Sequence, residues 1–114
     1  MNELSDKEIY KIAEPIWENM NICSNNIDYE GFSKDFSESL KKTITEERFI
    51  DQCKNHKILT SLKLGATPVA CIRRSEGVGI VFKQLSNEFE GEFMGNLILS
   101  KSENKIEVID ATIY

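Results

Sequence analysis

Four polar residues stand among apolar strand-forming residues in the second half of this chain: Arg73, Gln84, Asn96 and Asp110. Alternate residues of a strand share a face. That rule sets Arg73 with Val69 and Cys71, Gln84 with Val78, Ile80 and Phe82, Asn96 with Met94 and Ile98, and Asp110 with Ile106 and Val108. A few polar groups projecting into a mostly apolar wall are what a ligand pocket needs. Trp17 and Tyr29 complete the candidate binding set. The same residues allow a catalytic alternative. Asp110 in an apolar site would gain proton affinity and act as a base, with Tyr29 or Tyr114 donating to a developing oxyanion. That chemistry belongs to isomerases and dehydratases.

Other chemistry finds little support. The only histidine, His56, lies in the polar stretch Lys54-Asn55-His56-Lys57 and reads as a surface residue. Ser33, Ser37 and Ser39 have no histidine near them in sequence to build a hydrolase triad. Gly77-Val78-Gly79 lacks the third glycine and following helix of a nucleotide loop. Glu88, Glu90 and Glu92 lack the spacing of a calcium loop. Cys23, Cys53 and Cys71 are three in number, widely spaced and without a Cys-x-x-Cys, so three buried free thiols are expected, with no metal and no cofactor.

The elements that must position these residues fall in two blocks. Helical patterns fill residues 6 to about 62. Ser5-Asp6-Lys7-Glu8 is a capping box, and Ile9, Ile12, Ala13, Ile16, Trp17 and Met20 form the stripe behind it. Pro15 predicts a kink or a fresh start. Asp28 caps a second helix carrying Tyr29, Phe32, Phe36 and Leu40, and Thr45 opens a third with Phe49, Ile50 and Cys53. From about Thr67 the period changes to two. Strands are expected at Val69–Ile72, Val78–Leu85, Glu92–Ser100 and Lys105–Tyr114, the last two joined by the four-residue loop 101–104. Gly77, Gly79, Gly91 and Gly95 suggest bulges that bend the sheet. The class is α+β: helices packed in the concavity of a strongly bent antiparallel sheet of about four strands.

Length and charge bound the partners. One domain covers the 114 residues, and the net charge of −5 leaves no basic patch for nucleic acid. No basic-then-apolar leader opens the sequence and no apolar run reaches the ~18 residues of a membrane span, so a cytoplasmic location is expected. The last two strands carry apolar residues on both faces, more than one helical layer covers, which predicts a homodimer through the outer sheet face or a protein partner there. The alternative is that the connector, residues 54–66, folds over that face.

The run Asp28-Tyr29-Glu30-Gly31-Phe32-Ser33-Lys34-Asp35-Phe36-Ser37, then Ile44-Thr45-Glu46-Glu47-Arg48-Phe49, Leu64-Gly65 and the closing strand Lys105-Ile106-Glu107-Val108 resembles the nuclear transport factor 2-like (cystatin-like) superfamily. It is similar in particular to small bacterial domains of unknown function within it. The resemblance implies a bent sheet wrapped around a helix with a cavity at the open end of the cone. Members place an Asp or His base there, bind a small apolar ligand or peptide, or pair with a second copy. Fold alone cannot choose among these. The expectation is a non-catalytic binding or accessory domain, with the carboxylate-base enzyme as alternative. The cone is either open to a ligand or filled by Trp17, Phe32 and Phe36.

Overall fold

The first helix starts where the capping box places it. In the computed structural model, which describes residues 1–114, the Ser5 hydroxyl accepts from the Glu8 amide at 3.2 Å and the Glu8 carboxylate accepts from the Ser5 amide at 3.0 Å. Helix α1 then runs from Asp6 to Asn25 without a restart. Pro15 lies on its exposed side, so the carbonyl it leaves unpaired faces water. The opposite stripe, Ile9, Ala13, Trp17 and Met20, is buried against the sheet and holds the helix through that gap.

The expected second helix is two pieces. Helix α2 is a single turn, Tyr29–Phe32, capped by Asp28, and helix α3 spans Glu38–Thr43. Between them the Ser33 hydroxyl donates to the Tyr29 carbonyl at 2.8 Å, a local bond that competes with helix continuation. The chain then extends, and Phe36 pairs in parallel with Val108 of the last strand. Ser37 restarts the helix by accepting from the Leu40 amide at 3.1 Å. Phe36 and Leu40 are buried even so, because the break preserves their inward side. Helix α4, Glu46–Asn55, begins at the Thr45 cap as expected, and a 3-10 turn follows at Lys57–Thr60.

Four strands, β1 (Thr67–Arg73), β2 (Val78–Gln84), β3 (Phe93–Ser102) and β4 (Lys105–Ile113), form one open antiparallel meander in the order β1-β2-β3-β4. The helices pack against this sheet, which makes the fold α+β. The β3–β4 loop is tighter than expected. Ser102 pairs with Lys105, so only Glu103 and Asn104 make the turn, with Glu103 at a φ of +58°.

The ladder breaks at two points, neither of them a glycine: between Pro68 and Ala70 in β1, and opposite Ile98–Leu99, where β4 carries the extra residue Ile109. Gly95 has a different cause. A Cβ built on it would lie 2.4 Å from Cζ2 of Trp17, whose ring seats flat on the β3 backbone and stacks on Phe82 with centroids 5.1 Å apart.

The register of the ladder, unbroken between β2 and β3 and shifted by the bulge in β4, decides which side chains face the helices. On β2, Val78, Ile80, Phe82 and Gln84 all turn inward and are buried, as alternation predicts. On β3 the inward set is Gly95, Leu97 and Leu99, so Asn96 and Met94 lie on the outer face, contrary to expectation. On β4, Val108 is inward, but the extra residue at Ile109 reverses the alternation. Ala111 and Ile113 pair with inward Leu97 and Gly95, while Asp110 pairs with outward Ile98 and is exposed.

Candidate functional site

A cavity of about 400 Å³ opens beside the sheet, between the C-terminal half of α1, helices α2 to α4, the 3-10 turn and the end of β4. The aromatics therefore do not fill the interior. Trp17 and Phe32 form part of the wall, while Phe36 is packed away at 2% exposure. Eleven of the eighteen lining residues are hydrophobic, among them Met20, Leu40, Ile44, Phe49, Leu59 and Ala111. Volume and lining fall in the range of small-molecule sites, about 300–1,000 Å³ and mainly apolar.

The wall is built from short-range choices in the sequence. Phe32 and Phe49 stack at 4.3 Å and join α2 to α4. Tyr29 leans on Phe49, with ring centroids 5.8 Å apart, and its hydroxyl donates to the Ile44 carbonyl at the end of α3. The connector folds down onto α1. Ser24 donates to the Leu59 carbonyl, and Asn25 both accepts from the Leu62 amide at 2.8 Å and donates to the Leu62 carbonyl at 2.9 Å. It therefore closes the helical side and does not cover the outer face of the sheet.

Most of the expected site residues have structural employment. Gln84, fully buried, uses its whole side-chain amide: Oε1 accepts from Trp17 Nε1 at 2.8 Å and from Asn21 Nδ2 at 2.9 Å, while Nε2 donates to the Lys63 and Leu85 carbonyls at 2.8 and 2.9 Å. Nothing on it is left for a ligand. Arg73 lies at the other end of α1, where it meets Asp6 at 2.8 Å and donates to the Asn2 and Leu4 carbonyls. Its hydrogen bond to Asp6 raises its proton affinity further above the already high arginine value. It clamps the N-terminal turn and is no part of the cavity.

Asn96 is on the outer face opposite Val81. Tyr29 is committed to Ile44 and is outside the lining, and Tyr114 is 73% exposed, with its backbone paired to Met94. Asp110 reaches the cavity only at its rim, exposed, with Oδ1 accepting from the Ala111 amide at 3.0 Å. Of the expected set, Trp17 and Asp110 border the cavity and the other residues do not.

His56 was expected on the surface, and it is exposed; it also stands with Gln52 at the cavity mouth. Two residues that the alternation argument passed over, Asn21 and Ser24, border the cavity at 2% exposure each. They follow Trp17 and Met20 by four residues, so they continue the buried stripe of α1. A polar side chain on an apolar stripe was the signal that marked them.

No three His, Cys, Asp or Glu side chains converge in a way that would hold a metal. The three cysteines are free thiols. Cys23 and Cys53 are buried, whereas Cys71 is only half-buried, a departure from the expected three because β1 is an edge strand. Burial pushes all three thiols up from their ordinary value, which keeps them protonated and poorly nucleophilic. No helix is long and apolar enough to cross a membrane. Comparison with protein-family models, with curated proteins and with solved structures finds no match for this chain.

Proposed function

We propose that this chain is a non-catalytic binding or accessory domain that holds a small, mostly apolar ligand in the cavity beside its sheet, one of the uses that the nuclear transport factor 2-like resemblance allows. One observation carries the reading: about 400 Å³ of space walled mainly by apolar side chains. Three free thiols suit a reducing compartment such as the cytoplasm. The enzymatic alternative is weaker. Asp110 stands in solvent at the rim, the Tyr29 hydroxyl is spent on the Ile44 carbonyl, and Tyr114 is exposed and does not line the cavity.

The test is calorimetric titration with 1-methoxynaphthalene, a rigid apolar probe, against the wild type and Ala111→Phe. Ala111 faces inward on β4 and lines the cavity, so the larger ring occupies the space. Binding to the wild type and loss in Ala111→Phe support the reading; unchanged binding in the variant, or failure of the wild type to bind either this probe or 1-naphthol, sinks it. Asp110→Asn is expected to bind the probe as the wild type does.

A second reading concerns association. Ile72 is 49% exposed and Met94 43% exposed, and neither the helices nor the connector covers the outer face of the sheet. A homodimer through that face would bury them. Sedimentation at micromolar concentration tests it, a monomer being the contrary result.

A further inference from the structure

The hydrogen bonds behind the cavity fix which way its buried amide points. Gln84 Nε2 donates to two carbonyl oxygens, those of Lys63 and Leu85, which leaves Gln84 Oε1 facing the Trp17 indole N–H and Asn21. An oxygen facing Asn21 accepts only from its nitrogen. Turning either amide over would set oxygen against oxygen or nitrogen against nitrogen. Asn21 Oδ1 is therefore directed away from Gln84.

Of the polar side-chain atoms of Asn21, Oδ1 alone makes no hydrogen bond, although the residue is only 2% exposed. No side-chain nitrogen or oxygen sealed from solvent lacks a partner, so Oδ1 opens onto the space that Asn21 borders, the cavity. One turn further along α1, Ser24 is also 2% exposed and spends its proton on the Leu59 carbonyl, leaving only oxygen lone pairs. The indole N–H of Trp17 is spent on Gln84. The deep wall thus presents acceptors to whatever enters.

We infer that the ligand is an apolar molecule carrying a hydrogen-bond donor, a hydroxyl or an amide N–H, set against Asn21 Oδ1; the inference rests on the binding role proposed above. A carboxylate or ketone placed there would bring oxygen against oxygen in a poorly hydrated site. The donor end enters first, and the apolar body lies along Met20, Phe49 and Leu59.

Two probes of nearly equal shape separate the two levels of the argument: 1-naphthol, which has the donor, and 1-methoxynaphthalene, which does not. Both are titrated by calorimetry into the wild type and Asn21→Leu, with Trp17 fluorescence confirming that the variant is folded. The wild type is expected to bind the naphthol about two- to tenfold tighter, the range of one net neutral hydrogen bond. In Asn21→Leu that preference disappears. Equal affinities in the wild type, or a preference for the ether, overturn the inference while leaving the pocket standing. A preference that survives in Asn21→Leu overturns the assignment to Asn21. Failure of both probes to bind removes the pocket reading and the inference with it. The wild-type ratio decides even where the variant does not fold.

Discussion

Replacing Gln84 by leucine removes a hydrogen-bond hub while nearly preserving shape. In the wild type the amide serves four partners, two of them donors on α1: the indole N–H of Trp17 and the amide of Asn21, residues at 3% and 2% exposure. The Lys63 and Leu85 carbonyls belong to exposed residues and can turn to water, so the count rests on the two donors. Each buried donor left without a partner costs about 1–3 kcal/mol. The added apolar burial of leucine offsets about 1–2 kcal/mol of that sum.

These ranges span a net loss of about 0–5 kcal/mol and centre on about 2–3 kcal/mol, against a total stability of about 5–15 kcal/mol for a domain of this size. Trp17 is the only tryptophan, sits at the mutated junction and reports unfolding directly. With a urea slope of about 1–3 kcal/mol per molar, that central loss lowers the midpoint of its fluorescence transition by about 0.7–3 M. A shift below about 0.3 M would show that Trp17 and Asn21 find other partners and that Gln84 does not organise this wall.

Other substitutions probe separate parts of the account. Gly95→Ala forces a methyl to within 2.4 Å of Trp17 and should destabilise by about 1–3 kcal/mol, read from the same urea transition. Glu8 is held below its ordinary value of 4.5 by the Ser5 backbone amide. Its folded form is the more acidic one, so its stabilisation is complete above the ordinary value and disappears as pH falls through the folded one. The Tm gap between wild type and Glu8→Ala should therefore be full at pH 7 and narrow progressively as the pH falls below 4.5. Arg73→Ala should speed amide exchange in residues 2–8 and leave probe binding unchanged, since the guanidinium clamps Asn2, Leu4 and Asp6 far from the cavity. Among the thiols, half-buried Cys71 should react first with a maleimide in the native state, and prior labelling of Cys53 would contradict the burial described.

Much of the framework was legible in the residues themselves. Ser5, Asp28 and Thr45 each cap a helix where expected, and the apolar stripe of α1 and the inward set of β2 follow directly from periodicity. These are local signals, and local physics decides them. The site was harder to read because tertiary pairing moved it. The extra residue at Ile109 shifts Asp110 to the outer register, and nothing in the run Val108-Ile109-Asp110-Ala111 announces it. The pairing of Phe36 with Val108 splits a helix whose apolar spacing was unbroken. Gln84 lies inside as alternation predicts, but two of its four partners lie 63 and 67 residues away, so only the folded chain shows that it is saturated. Asn21 carried a local signal, a polar side chain on a buried stripe, and attention to strand alternation passed over it.

The space beside the sheet is proposed to receive a small apolar molecule. Titration of isotope-labelled protein with 1-naphthol, followed amide by amide in solution NMR, puts that to the test. The account predicts saturable shifts confined to the cavity wall, at Met20, Asn21, Ile44, Leu59 and Ala111, with the outer-face residues Ile72 and Met94 undisturbed. No shifts, or shifts centred on Ile72 and Met94, would contradict it.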